Sequence, residues 1–391
     1  MCTPRNGRRR ARLAEGLRQH DGVELTTSHA LALRMRSLLL AGTSSTTPVR
    51  GDSVAAVVTW FGAMQAQDYV SGLWSLGARL PATTRTEVEA ALERREAVRT
   101  WPMRGTIHLV PAADARWMVE ELGVRTLAGA ARRRAQLGLD EATAERAVDV
   151  LATALVGGGR LTRAECLDAL SEAGIAVDGQ RGYHLLRFAS QRGVTCIAPN
   201  RGSEQTFVLL DEWVGCSNRP SRHEALATIA TRYVRSHGPV TRSDLARWTG
   251  LTSADTAAAV AAAGDALTTV EVEGRSMLIT PDALAEPPPP SDTVLALPGY
   301  DEYLLGYKDR ALMVNPAHAQ AIVPGGNGVF QATIVRAGRV IGTWTRSSTT
   351  AGTVISVFPL EPLRSRERRK VETAFERYAR FVDTPLQARW P

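Results

Sequence analysis

The sequence predicts an α+β protein of tandem winged helix-turn-helix units with a C-terminal β-rich subdomain. Three observations carry that expectation: a Thr-Arg-x-Glu/Asp box that recurs three times, a two-stranded alternating pattern after each recurrence, and a proline run that sets off a strand-rich tail. The recurring threonines are Thr84, Thr162 and Thr241, 78 and 79 residues apart. A threonine followed three residues later by an acid is a helix-capping box, fitting Glu87 and Glu165 and approximated by Asp244.

In chain order, residues 1–24 form an arginine-rich leader that is expected to be disordered. Apolar residues at helical spacing predict a first helix over 26–40, with Thr27 or Ser28 as N-cap, and a second over 52–65 opened by Asp52 or Ser53. The first box opens TTRTEVEAALERR (83–95) and runs into strands over 96–111, completing a first unit at 25–125. The second box opens 161–174, followed by a helix over 179–193 and strands over 193–210, within a unit at 126–218. In the third unit, 219–284, a helix over 222–238 precedes the box at 240–250, a recognition helix covers 253–264, and a hairpin covers 267–281. AEPPPPSD (285–292) is an extended linker. The subdomain 293–391 holds two strands joined at Ala337-Gly338, a third over 353–360 and a last helix over roughly 362–382.

Bulk properties bound the function. The 391 residues exceed one ordinary core. No apolar run reaches membrane-spanning length, and the Arg8-Arg9-Arg10 run is followed by a segment without the apolar stretch of a secretory signal. Four scattered cysteines favour a reducing cytoplasm and give no metal or disulfide spacing. Of the formal charge of +7, residues 1–20 supply +5, so the body carries only about +2 and the total says little about partners.

Three segments could carry chemistry. Gln65-Ala66-Gln67 would point its amides apart on a helix but to one side in extended backbone, about 7 Å apart. If the helix ends near Met64, both amides could converge on a water; otherwise they are two solvated glutamines. In WPMRGTIHLV (101–110), strand alternation would put Arg104, Thr106 and His108 on one side, suited to a phosphate or base edge, or simply to solvent. PGYDEYLLGYKDR (298–310) interleaves Tyr300, Tyr303 and Tyr307 with Asp301, Glu302, Lys308, Asp309 and Arg310. Such a mixture can stack on bases and hold phosphates, or be structural tyrosines under a loop. Asp301-Glu302 alone makes a poor metal site, and no phosphate-binding loop, GxSxG or HExxH is present.

Together these segments resemble the AlkZ-type winged-helix DNA glycosylases of bacteria. LALRMRSLLL (31–40), QAQ (65–67), RTWPMRGTIHLV (99–110), LPGYDEYLLGYKDR (297–310) and VFQATIVRAGRVIGTWTR (329–346) follow the family order. The resemblance implies tandem winged helices around DNA and a catalytic Gln-x-Gln pair at Gln65 and Gln67; the residues expected to contact that DNA are Arg34, Arg104, Thr106, His108, Tyr300, Tyr303, Lys308 and Arg310. Ala66 is a small member of the hydrophobic class that the family has between the glutamines. Gln67 falls on the Gln-x-Gln side, not the Gln-x-Asp side, and so with self-resistance to DNA-alkylating natural products. The implied activity is a monofunctional DNA glycosylase releasing N7-alkylguanine or N3-alkyladenine, bulky or cross-linked adducts included. No cofactor or metal is expected. The expected partner is double-stranded DNA carrying alkylated bases, met by a monomer in the cytoplasm at the nucleoid. The alternatives are a winged-helix transcription regulator, a non-catalytic DNA-binding protein and, more remotely, a metal-dependent nuclease.

Overall fold

In the computed structural model, residues 23–41, 52–285, 292, 294–349 and 352–391 are described. The expected leader and linker fall largely outside the described residues. Val23 and Glu24 instead belong to β1 (Val23–Leu25), which pairs in parallel with a strand of the third hairpin. α1 (Thr27–Ser37) is capped by Thr26, whose hydroxyl accepts from His29 N–H, one residue before the expected cap. α2 (Val54–Phe61) opens on Ser53 as expected. It stops at Gly62, at φ 79°, a conformation glycine adopts without steric cost.

That stop frees β2 (Met64–Gln65). Asp68 then caps α3 (Tyr69–Gly77), accepting from Ser71 N–H. α4 (Arg85–Glu93) carries the first capping box, and β3 (Ala97–Met103) and β4 (Thr106–Pro111) form the hairpin. Helices without a sequence-based expectation follow: α5 (Ala115–Leu122), α6 (Val124–Gly129), α7 (Ala131–Gln136) and α8 (Glu141–Leu155). The second box lies at the junction of β5 (Leu161–Thr162) and α9 (Arg163–Glu172); α10 (Arg181–Gln191), β6 (Thr195–Arg201), β7 (Glu204–Leu209) and α11 (Leu210–Val214) come next.

α12 (Arg222–His237) leads to α13 (Arg242–Thr249), whose box with Asp244 is complete, then α14 (Ser253–Ala263), β8 (Thr268–Val272), β9 (Arg275–Ile279) and α15 (Pro281–Ala285). The tail holds β10 (Val294–Leu297), α16 (Glu302–Leu305), α17 (Ala319–Ile322), β11 (Ala332–Arg336), β12 (Arg339–Thr349), β13 (Gly352–Pro359), α18 (Ser365–Val382) and β14 (Leu386–Arg389).

The strands assemble into three sheets ordered β1-β8-β9, β10-β11-β12-β13-β14 and β2-β4-β3-β6-β7-β5. The hairpins of the first two expected units therefore share one sheet, joined where Arg99 pairs with Ile197. One large apolar core runs from α1 and α2 through α12 and the third hairpin into the tail. A smaller core packs α8, α9 and α10 under β6 and β7, reaching Trp101 and Ile107. No helix among the described residues is long and apolar enough to cross a membrane.

Candidate active site

Residues 63–67 form a short extended run between the end of α2 and the cap of α3. Met64 pairs with Leu109 and Gln65 with His108, and Ala66 N–H donates to the Ile107 carbonyl at 2.9 Å. Side chains alternate along such a run. Ala66 points into the protein at 2 % exposure and lies so close to α3 that a Cβ on Gly72 would meet its Cβ at 2.9 Å. Gln65 is half-buried and Gln67 exposed, and alternation assigns both to the side opposite Ala66. The condition set from the sequence, an early helix end, is thus met.

The two amides differ in their partners. Gln67 Oε1 accepts from Ile107 N–H at 3.0 Å, which anchors that side chain. Gln65 Oε1 is buried with no hydrogen-bond partner among the described residues. A buried unpaired carbonyl costs roughly 1–3 kcal/mol, so its open acceptor position needs an explanation. Beside Gln67 a hollow of about 650 Å³ opens, lined in part by Ile107, Arg163, Leu167 and Tyr183.

Two side chains fix the backbone here. Gln65 N–H donates to Glu302 Oε1 at 2.8 Å. Arg99 Nη2 donates to the Ala66 carbonyl at 3.2 Å and its guanidinium lies 4.6 Å from the centre of the Tyr69 ring. Burial lowers the Arg99 pKa to about 10 against nearby Tyr69 and Asp68, which leaves it cationic at neutral pH. Glu302 Oε2 accepts from Trp248 Nε1 at 2.8 Å and meets His237 Nε2 at 3.3 Å. Burial raises the Glu302 pKa, but the His237 contact, the charge of Arg104 and the Gln65 N–H outweigh it and hold the group at about 2.

His108, opposite Gln65 in the sheet, is fully buried. Burial and the neighbouring Arg104 push its pKa down to about 3, so the ring is neutral. Arg104 Nη2, which can only donate, meets Nε2 at 3.0 Å; Nδ1–H therefore donates to the Thr106 carbonyl at 2.9 Å. With both nitrogens engaged, His108 is not available as a general base.

The expected DNA-contacting residues divide by burial. Arg34 is a correction: at 2 % exposure it donates to the Pro239 carbonyl at 3.0 Å and its guanidinium lies 4.2 Å from the centre of the Tyr307 ring, inside the large core. Tyr303 is a second, 1 % exposed with its hydroxyl donating to the Gly338 carbonyl at 2.6 Å. His108 is a third. None of these side chains reaches the surface that a phosphate or base could approach. Arg104, Thr106, Tyr300 and Arg310 are half-buried and Lys308 is exposed. Arg104 sits in the β3–β4 turn at φ 53°, with Gly105 at φ 71°. Exposed Arg247 lowers the pKa of both Arg104 and Arg310, in each case after the larger effect of burial, which brings three guanidinium groups within electrostatic reach of one another.

The sequence reading missed Arg247, Arg99, Arg163, Tyr183, His237 and Trp248. The sequence set Asp301 and Glu302 aside as a poor metal site, and the fold gives each an internal partner: Asp301 accepts two hydrogen bonds from buried Arg79, at 2.8 and 2.9 Å, while Glu302 faces β2. The sequence sign of internal partners was slight: two adjacent acids set between Tyr300 and Tyr303 and followed by Leu304 and Leu305.

Comparison with known proteins follows the same lines. The profile of the DNA glycosylase AlkZ-like family matches residues 58–381. An interstrand DNA cross-link repair glycosylase of Streptomyces sahachiroi is 29 % identical over 309 residues, covering 75 % of this chain and 82 % of that protein. The solved structure of the Streptomyces sahachiroi DNA glycosylase AlkZ is similar with a TM-score of 0.76 at 25 % identity, covering 94 % of this chain and all of that one.

Proposed function

The chain belongs to the AlkZ-like DNA glycosylase family, and from that premise we propose that it hydrolyses the N-glycosidic bond of N7-alkylguanine or N3-alkyladenine in duplex DNA, with Gln65 and Gln67 positioning the attacking water. DNA glycosylase activity toward alkylation damage comes with the family and its cross-link repair relative. The substrate and the residue roles are our reading.

The observation that supports it is a Gln65 carbonyl with no partner among the described residues, two positions from a Gln67 amide held by the Ile107 N–H. An N7- or N3-alkylated purine is already cationic and leaves as a neutral base, so its departure needs little general-acid help. What remains is to stabilise an oxocarbenium-like sugar and hold a water near C1′. A glutamine carbonyl does not act as a strong base, but it can accept a water proton in a hydrogen bond and turn its dipole toward positive charge. Anchoring Gln67 on the Ile107 N–H leaves its amide N–H groups and a second lone pair for the same task. With His108 neutral and fully engaged, the polar side chains that residues 63–67 can offer a water are those of the two glutamines.

The recurring helix-then-hairpin pattern supports the tandem winged-helix organisation. Arg104, Thr106, Tyr300, Lys308 and Arg310, with Arg247 added, are proposed to contact DNA. The hollow beside Gln67 gives room for a bulky adduct, and cross-link opening in defence of a producer organism is the corresponding physiological reading. A cytoplasmic enzyme acting as a monomer completes it.

The test uses a duplex containing 7-methylguanine, with abasic sites revealed by alkaline cleavage. Gln65→Ala and Gln67→Ala together are expected to abolish base release while duplex affinity stays within about twofold. Single substitutions should cost about 10²-fold, the scale for removing one preorganised dipole. Undiminished release by the folded double variant removes the glutamines from the reaction.

A further inference from the structure

β2 is an edge strand of its sheet. Its inner partner β4 takes the Ala66 N–H, while the Gln65 N–H points the other way. At an edge that donor would meet water or a further strand. Here it meets the carboxylate of Glu302, which is 1 % exposed. That carboxylate is built in from all sides. Trp248 Nε1 and His237 Nε2 hold its second oxygen. His237 is in turn held through its carbonyl by the Tyr307 hydroxyl at 2.7 Å, and its Nδ1 contacts Ser236 Oγ at 2.8 Å. The end of α16 approaches so closely that a Cβ on Gly306 would lie 2.2 Å from His237 Cδ2.

We propose that Glu302 is a positioning residue for base release: its ionised carboxylate takes the place of a missing neighbouring strand, fixes the Gln65 peptide and so aims the open Gln65 carbonyl. This inference rests on the water-holding role of Gln65. A peptide held on both edges cannot rotate without breaking a charge-assisted hydrogen bond, which is about twice as strong as a neutral one. Rotation of the 64–65 peptide by a few tens of degrees would carry the Gln65 side chain out of line with its target, and misplacement of about 1 Å at a reacting centre costs up to about 10²-fold in rate. The network reaches α12, α13 and α16, so Glu302 also ties the strand bearing the glutamines to the third helix–hairpin unit.

The experiment is a double-mutant cycle of Glu302→Gln and Gln65→Ala, read as the single-turnover rate of 7-methylguanine release, with the affinity for undamaged duplex measured alongside. Glu302→Gln is expected to slow release at least about tenfold with affinity within about twofold, and to cause no further slowing in the Gln65→Ala background. Equal slowing in both backgrounds overturns the proposal, because loss of general folding quality would act whether or not Gln65 is present. Unchanged release by folded Glu302→Gln overturns it too. If Gln65→Ala alone releases base at the parental rate, the water-holding role fails, and that failure is read from the single variant without the cycle. Glu302→Asp guards against a misfolded amide variant: it keeps the charge but falls one methylene short of Gln65 N–H, and is expected to show the same rate loss and the same non-additivity.

Discussion

Two short polar stretches of this chain looked alike as sequences and have opposite fates in the fold. Residues 63–67 are extended, and their glutamine side chains end in one anchored amide and one buried carbonyl without a partner among the described residues. Residues 300–310 are richer in polar groups, yet the four that are buried are consumed internally: Asp301 by Arg79, Glu302 by Gln65, Trp248 and His237, Tyr303 by Gly338, Tyr307 by the His237 carbonyl. The density of functional-looking side chains is therefore a poor guide. Open valence is a better one only together with position, since buried atoms elsewhere, Arg34 Nη1 and Ser37 Oγ among them, also lack a partner among the described residues.

The largest expected effect breaks the consumed stretch. Asp301→Ala leaves the Arg79 guanidinium buried and uncompensated, and removing one partner of such a pair costs about 3–5 kcal/mol. Urea unfolding should show that loss directly, and duplex affinity per folded molecule should be unchanged. A mild effect would mean that water enters the Arg79–Asp301 site and that the stretch is less closed than its contacts imply.

Next in size is a change that acts on the open stretch from behind. An alanine at 72 would bring its Cβ to 2.9 Å of Ala66 Cβ and 3.2 Å of Ala66 Cα, closer than van der Waals contact allows. Gly72→Ala is expected to cost about 1–3 kcal/mol by overpacking. Because the yielding atoms are backbone of the glutamine strand, base release should fall by a larger factor than duplex affinity. Equal losses would show that the strand yields without moving its side chains.

How much of this was legible beforehand follows from which forces are local. The capping boxes at Thr84, Thr162 and Thr241 and the turn at Ala337-Gly338 are decided within a few residues, and each formed where the sequence placed it. The Gln-x-Gln geometry was readable as a condition, and Gly62 met it. Arg34 and His108 were misjudged because long-range packing decides them. A guanidinium on a helix gives no sign that Pro239 and Tyr307 will close over it, and a polar row on a strand reads as solvated until a further layer covers it. The joining of two hairpins in one sheet is likewise set by a single pairing between residues 98 apart, Arg99 with Ile197, which no local pattern announces.

Acid should act mainly on the buried side of the comparison. His108 has its pKa lowered to about 3 in the fold from an ordinary 6.5, so between those values the unfolded chain binds the extra proton. Stability contributed by neutral His108 is complete above pH 6.5 and is lost as pH falls toward 3; from pH 6.5 to 5 the loss is about 1–2 kcal/mol. Glu302, lowered to about 2, adds a loss in the same direction only below its ordinary carboxylate range. Denaturant midpoints taken between pH 7 and 5 should fall, and His108→Gln, less stable at pH 7, should show a flatter decline. A parallel decline in both proteins would assign the acid sensitivity elsewhere.

The smallest effects separate binding from packing inside residues 300–310. Lys308 is exposed there and Tyr303 is not. Lys308→Ala should weaken duplex binding uniformly across sequences and reduce the slope of log affinity against log salt by about 1, as expected for one lost phosphate contact. Arg247→Ala should behave the same way, since Arg247 lies near Arg104 and Arg310 with its own side chain exposed. Tyr303→Phe should instead leave the salt slope untouched and cost about 1 kcal/mol of stability, the worth of one hydrogen bond to the Gly338 carbonyl. If Tyr303→Phe changed the slope and Lys308→Ala did not, the division of this segment into a closed interior and a phosphate-facing end would be reversed. The DNA would then have to reach the protein through a face that is packed in the unbound fold.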